Sequence, residues 1–420
     1  MTQKTANLQA ILDNHLCTGC GACAAIVPDT IEMAETQDEN RRPHLKQALN
    51  SFTEQKIQSV CPSLSASTMP DPKSILESAW GPVLEVWQGH AVDEHIRYKA
   101  SSGGAITALA LNAIERSGFH GALHIKACKS DPTRNEARIS QNRHQLLEGA
   151  GSRYAPASIC DKLHLITGAA QKTVVIGKPC DIAGALSVAR FMPEVKEKMG
   201  LTISIFCAGT PSNSGTSKLL QRLSPSKPGH LLELNYRGDG WPGKMRTKWQ
   251  IGNKIERQSI SYEEGWGEIL QQHRQWRCHT CNDHTGEYAD ISVGDPWQTP
   301  RQHNKIGQSL IIVRTERGRK AVRKAQEDGY LVIEKQEPNI LFDAQPNLFS
   351  TKGAVWGRSV ALSTCGIQAP TKTKASFNCW MALPITAKMQ SILGTIKRII
   401  QKRLRHAHPT KWLPKGYFSR

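Results

Sequence analysis

The stretch "CTGCGACAAIVP", residues 17 to 28, sets Cys17, Cys20 and Cys23 at C-x2-C-x2-C spacing. Thiols this closely spaced, with glycines at 19 and 21, suit a loop that wraps tightly around a cluster of metal atoms and aims its amides at sulfur. The bacterial iron–sulfur run continues C-x3-C-P, but here Val27 stands before Pro28 where a fourth cysteine is wanted. The fourth ligand has to come from another part of the chain.

Cys61, in "SVCPSLS", supplies it. In two-cluster ferredoxins the proline-followed cysteine of each run ligates the cluster of the other run, so three cysteines of one run plus one Cys-Pro of the other form a complete set. Cys17, Cys20, Cys23 and Cys61 are therefore expected to hold one 4Fe-4S cluster. Zinc is the alternative, although zinc sites usually pair C-x2-4-C with a second distant pair rather than three plus one.

Four more cysteines form a looser constellation. Cys180 follows the apolar run "TVVIG" in "GKPCDIAGAL", Cys207 closes "TISIF" in "FCAGTPS", and Cys278 and Cys281 make a C-x2-C loop in "RCHTCNDHTGEYADISVGDPW". The carboxyl ends of strands in a parallel or mixed sheet line the ligand crevice, so these thiols can meet there around a second 4Fe-4S cluster. A structural zinc and unligated thiols are the rival readings. Cys128, Cys160, Cys365 and Cys379 have no ligand spacing and read as buried or inert.

A phosphate-binding reading fits "KASSGGAITALALNAIERSG", residues 99 to 118, where Ser101, Ser102, Gly103 and Gly104 open a helix with free amides and little bulk. A capped helix with close backbone packing explains the same residues. The string "GDGWPGKM" from Gly238 to Met245 imitates a P-loop, but Met245 replaces the Ser/Thr and "MRTKWQI" reads as strand, which excludes one. Asp295, in "VGDPW", orients a cofactor group or simply makes a turn before Pro296.

These residues need a scaffold. A chain of 420 residues with 39% hydrophobic and 21% charged residues is expected to be globular, with more than one domain. The runs "VLEVWQGHAV", "ALHIKAC", "TVVIG", "TISIFC", "LLELNY", "ADISVG" and "SLIIVRT" read as strands, with helices near 103–117, 181–191, 213–223 and 316–328. The fold class is α/β, a mixed-sheet domain at residues 76–350. An α+β half-ferredoxin-like iron–sulfur domain precedes it at 1–75, behind a "PDPKS" linker, and a basic helical tail follows at 351–420. The N-terminus has no signal-peptide pattern and no apolar run reaches 18 residues, which reads as cytoplasmic. Twelve cysteines in a reducing compartment then point to metal or redox chemistry.

The net charge of +18 is largely a tail property, since eleven basic and no acidic residues lie between Pro370 and Arg420. Specific nucleic-acid binding is not expected. Within residues 385–420, Ile385, Met389, Ile392, Leu393, Ile396, Ile399, Ile400 and Leu404 recur at helical spacing among Lys388, Lys397, Lys402 and Arg405. With Trp412, Tyr417 and Phe418 beyond, this suits peripheral attachment to the inner face of an anionic membrane; packing of the stripe on the protein itself is the alternative.

In order along the chain, "CTGCGAC", "CP", "SSGGAITALA", "GSRYAP", "GKPCDIAGAL", "FCAGTPS", "GWPGKM" and "CHTCNDHTGEYADISVGDPW" resemble the coenzyme F-420 hydrogenase/dehydrogenase beta-subunit family, over about residues 10 to 350. The downstream cysteines resemble its two-cluster branch, that of the 7-hydroxymethyl chlorophyll a reductases. The resemblance implies an iron–sulfur flavoprotein oxidoreductase with FAD in the α/β domain. It makes Ser101, Ser102, Gly103, Gly104, Arg153, Tyr154 and Lys178 expected FAD neighbours. A cubane moves single electrons and a flavin one or two, so the pair joins one-electron donors to two-electron chemistry. The expected function is a reductase fed by ferredoxin or a similar carrier. The alternative is a non-autonomous beta subunit serving a hydrogenase or dehydrogenase with a deazaflavin coenzyme.

Overall fold

Eight strands run in the order β13-β3-β12-β11-β7-β6-β4-β5 across the main sheet of the computed structural model, which describes residues 7–64, 69–299, 306–369, 371–405 and 409–414. In chain order the strands are β1 (Ile31–Glu35), β2 (Arg41–Leu45), β3 (Glu85–Ala91), β4 (Gly121–Ala127), β5 (Asn135–Ser140), β6 (Thr173–Gly177), β7 (Met199–Ile205), β8 (His230–Asn235), β9 (Met245–Ile251), β10 (Lys254–Ile260), β11 (Ile291–Gly294), β12 (Ser309–Val313) and β13 (Leu331–Gln336).

The central strands β4, β6, β7 and β11 are parallel, and β5 on one side and β12, β3 and β13 on the other are antiparallel additions. The mixed α/β sheet expected from the sequence is thus present. The centre is buried on both faces, so β6 and β12 read as nearly continuous apolar runs, and β7 is buried almost throughout although Thr202 and Ser204 interrupt it. Helix Ala105–Arg116 packs Leu109, Leu111 and Ala113 into one core with Val174, Ile203 and Val313. Helix Pro179–Ala189 covers the other side, placing Ile182, Ala185 and Val188 against Leu123 and Val175.

One expected strand lies elsewhere. "LLELNY" forms β8 of a separate antiparallel sheet, β10-β9-β8, whose inner side packs Leu234 and Met245 on Leu219, Tyr236 and Leu270. β9 begins at Met245, directly after the P-loop imitation, so no helix follows that loop.

The N-terminal segment is α+β: helices Leu8–Asp13, Ala22–Ile26 and Ser51–Val60 with the β1–β2 hairpin. It is welded to the rest. Leu8, Ile11, Leu16, Cys17 and Ile57 share a core with Trp276, Leu362, Ile399 and Leu404. Cys20 and Ala22 belong to the core beneath helix Pro179–Ala189. At the chain's other end, helix Pro346–Thr364 runs through residue 350 and packs against Lys374–Ala382 and Ile385–Gln401. No described helix is long and apolar enough to cross a membrane.

Candidate functional site

A cavity opens where the parallel strands end, with Cys207 of the second expected quartet in its wall, while the first expected quartet belongs to the N-terminal segment. In the first quartet, Cys17 and Cys20 flank the turn before helix Ala22–Ile26, and Cys61 closes helix Ser51–Val60. Gly21 has φ +87°, and a Cβ there would stand 2.7 Å from the Asp161 amide, so only glycine lets this loop seat on the α/β domain. Ser158 Oγ donates to the Gly19 carbonyl at 2.7 Å, and Arg41 reaches Ser158 at 3.1 Å and Asp161 at 3.3 Å. Burial pushes Cys23 well above the ordinary thiol range, and the charges of Cys17, Cys20 and Cys61 push it the same way. Burial, with Cys20 and Cys17, takes Cys61 up to about 12.

The second quartet comes from three places. Cys180 lies in the first turn of helix Pro179–Ala189, just beyond β6; Cys207 follows β7; Cys278 and Cys281 bracket the end of the short helix Trp276–His279. Backbone bonds fix the loops: the Cys207 amide donates to His284 O at 2.8 Å, and the Thr210 amide to Cys278 Sγ at 3.3 Å. Burial pushes Cys207 up to about 12, reinforced by Cys278 and Cys281. Cys180 is raised chiefly by burial, with Asp181, Cys20 and Cys207 adding to it, so its neighbours include both quartets.

All eight thiols are free of disulfides. Among the described residues, no three Cys, His, Asp or Glu side chains converge on a single metal-ion position. All eight candidate ligands are cysteines, the donor type that iron–sulfur clusters and four-cysteine zinc sites use.

The cavity, about 280 Å³, lies at the carboxyl ends of β6, β7 and β11; Lys178, Cys207 and Asp295 form part of its wall. Of the residues that sequence reasoning nominated, Ser101, Ser102, Gly104, Arg153, Tyr154 and Lys178 line it. Gly103 does not. A Cβ on Gly103 would sit 2.6 Å from the Ser309 amide and 2.7 Å from Gly89 O, so this glycine seats the helix start on the sheet. Gly104 caps the helix with φ +79°.

Arg153 is committed to the frame. Its guanidinium donates to Leu234 O at 2.8 Å, Pro132 O at 2.6 Å and Asn135 Oδ1 at 2.7 Å, tying the main sheet to the small one. Lys178 is buried, not the solvated surface lysine that its residue type suggests. It pairs with Asp181 at 2.6 Å, and that carboxylate and Cys180 hold its amine protonated against the cost of burial. Asp295 is more than a turn residue: it takes both arms of Arg237, at 2.8 and 2.9 Å, and the Trp241 indole N–H at 2.8 Å.

Sequence reasoning missed the aromatic wall. Tyr262 stacks on Trp297 at 5.5 Å, Arg237 covers both rings, and Tyr154 packs on Trp266 at 4.8 Å. Its signal in the sequence was the pair of tryptophans in "GDGWPG" and "GDPW", Trp241 and Trp297, whose rings lie 5.3 Å apart. A second hollow, of about 690 Å³, opens on the other side of the second quartet. Cys180 and Cys281 lie in its wall among Arg190, Lys196, Arg277 and Lys372.

The fold is thus a mixed α/β sheet with a strand-end cavity, near which two groups of free cysteines lie. Residues 86–164 match the N-terminal part of the family "Coenzyme F420 hydrogenase/dehydrogenase, beta subunit", and residues 170–339 match the C-terminal part of the same family. The chain belongs to this family. It is 23% identical over 82% of its length to an uncharacterized protein of Methanocaldococcus jannaschii, covering 95% of that protein. To the coenzyme F420 hydrogenase subunit beta of Methanococcus voltae it is 23% identical, over 61% of this chain and 85% of that one. Against a chain of the F420-reducing [NiFe] hydrogenase complex from Methanosarcina barkeri the TM-score is 0.54 at 20% identity, over 73% of this chain and 99% of that one, a likeness of fold.

Proposed function

We propose that this chain is an oxidoreductase subunit of the beta type, exchanging electrons between a deazaflavin coenzyme and a partner redox subunit through FAD and two 4Fe-4S clusters. The relatives named for F420-dependent hydrogenase and formate dehydrogenase subunits favour this over the ferredoxin-fed, self-sufficient reductase expected first. One observation carries the reading. The second quartet has Cys207 in the wall of the cavity and Cys180 and Cys281 in the wall of the outer hollow, with Cys20 of the first quartet bearing on Cys180. Electron carriers at the two quartets would therefore form a relay from a flavin in the cavity to the surface.

Cys17, Cys20, Cys23 and Cys61 would hold one cubane, and Cys180, Cys207, Cys278 and Cys281 the other. The thiols round a cubane stand farther apart than ligands gripping one ion, which suits quartets gathered in two neighbourhoods. Ser101, Ser102, Gly104, Tyr154 and Lys178 would contact FAD, while Gly103 and Arg153 hold the frame around it. When bound, the flavin supplies two-electron chemistry toward the coenzyme and one-electron chemistry toward the clusters. The Lys178 ammonium would stabilise negative charge on the cofactor, and the aromatic wall would exclude water from it.

A ferredoxin-like donor keeps one supporting observation, the basic rim of the outer hollow, which suits an acidic carrier. Anaerobically purified protein mixed with reduced coenzyme F420 and a viologen decides between the readings. Coenzyme oxidation coupled to viologen reduction is expected. Turnover with reduced ferredoxin but no reaction with the coenzyme would restore the ferredoxin-fed reductase.

A further inference from the structure

Helix Ile385–Gln401 packs against the protein mainly with a face other than its apolar stripe. The side against helix Pro346–Thr364 is small and polar: Ser391 and Thr395 are buried, Ser391 closes on the Gly357 backbone, and Trp380 Nε1 donates to Ser391 Oγ at 3.2 Å. Thr395 Oγ1 in turn donates to Ser391 O at 2.7 Å. Of the apolar series, Ile399 and Leu404 turn inward to the core shared with the N-terminal segment. Four others face water, with Ile385 76%, Met389 51%, Leu393 56% and Ile400 71% exposed. Their spacing sets all four along one strip of the helix.

From this we infer that the strip of Ile385, Met389, Leu393 and Ile400 is a docking face for an anionic lipid surface, on which the helix lies in the plane of the interface. Charge selects the occupant. Lys397 is exposed one helical turn beyond Leu393, at the edge of the strip, Lys402 is exposed at the helix end, and no acidic residue lies between Pro370 and Arg420. A second copy docking strip to strip would bring two such basic segments together, a like-charge encounter with no compensating carboxylates. Anionic headgroups meet the lysines while the four side chains enter the acyl boundary. The 17-residue helix is not long and apolar enough to cross, so the contact is peripheral.

Vesicle cosedimentation of the full chain, with its cofactors, tests this. The protein should pellet at low salt with phosphatidylcholine vesicles containing about one third phosphatidylglycerol, and should leave them in high salt or when the anionic lipid is omitted. Leu393→Asp and Ile400→Asp, at solvated positions, should each weaken partition about tenfold while leaving the thermal midpoint unchanged. Failure of the parent chain to pellet at low salt would overturn the inference, as would undiminished binding by both variants. Light scattering that reveals a dimer split by Leu393→Asp, with no vesicle binding, would instead assign the strip to a copy–copy interface.

Discussion

Cys160 leans on Cys20. Its amide donates to the Cys20 carbonyl at 2.9 Å, and its thiol proton is shared between the Asp181 carbonyl, at 3.2 Å, and the Cys20 sulfur, which it holds below the ordinary thiol range. Spacing alone reads Cys160 as buried or inert; it is buried, and it also donates a hydrogen bond to a candidate ligand. Such outer partners typically change metal affinity 10–100-fold, an order-of-magnitude guide of about one to two decades. Cys160→Ala should therefore retain the first cluster but release its iron to a chelator about tenfold faster, and Cys160→Ser, which keeps a donor, should restore most of the loss. Release rates that match the parent chain in both variants would make Cys160 a packing residue only.

Cys61 lies far along the chain from Cys23, yet the charges of Cys20 and Cys17 bear on it directly. Anaerobic preparations should hold about eight irons per chain, and Cys61→Ser should lose as much iron as Cys20→Ser, about four. An inventory of four irons and one zinc in the parent chain would leave the first cluster standing and convert the second quartet to a zinc site.

Arg237 and Asp295 are a buried bidentate pair, with side chains only 3% and 14% exposed. Asp295→Ala strands the guanidinium in the aromatic wall and should cost about 3–5 kcal/mol in urea unfolding. Adding Arg237→Met removes the stranded charge, so the double variant should be more stable than the sum of the two single losses predicts. Strict additivity would mean that the pair is not coupled.

His124 borders the cavity and is buried, with Nε2 against Ser140 Oγ at 2.7 Å. Burial, helped by Arg138 and Lys126, takes its pKa from 6.5 to about 4. The unfolded chain accepts a proton at this site that the folded chain refuses. The resulting stability is complete above about pH 6.5 and falls as the pH drops toward 4, by about 2 kcal/mol at pH 5. His124→Gln should flatten the dependence of unfolding free energy on pH between about 7.5 and 5 by that amount. An unchanged slope would show that His124 titrates normally in the folded protein.

The central strands were legible because burial on both faces turns them into apolar runs that need no alternation. β5 and β13 were not: at the sheet edges their half-exposed sequences, "NEARIS" and "LVIEKQ", resemble loop or helix. "LLELNY" was legible as a strand but not as a member of the small sheet, because strand propensity says nothing about partners. The cysteine quartets were legible through spacing. Asp295 and Arg237 were not paired in advance, since 58 residues separate them and only the fold brings them together. The C-terminal helix was legible as amphipathic, but periodicity could not say which side meets the protein. Ser391 against Gly357 decided that, by letting two helices approach more closely than the large apolar side chains would. Trp412, expected at an interface, instead sits 4.9 Å from the His44 ring, while Tyr417 and Phe418 lie outside the described residues.

The core that Leu8, Ile11 and Cys17 share with Trp276, Leu362, Ile399 and Leu404 has a consequence for biogenesis. It joins segments hundreds of residues apart, so Cys17 and Cys23 are synthesised long before Trp276, Leu362, Ile399 and Leu404, the side chains that later cover them. Removing the residues after about 380 therefore does more than excise a surface helix: it takes away Ile399 and Leu404 and opens the core around Cys17.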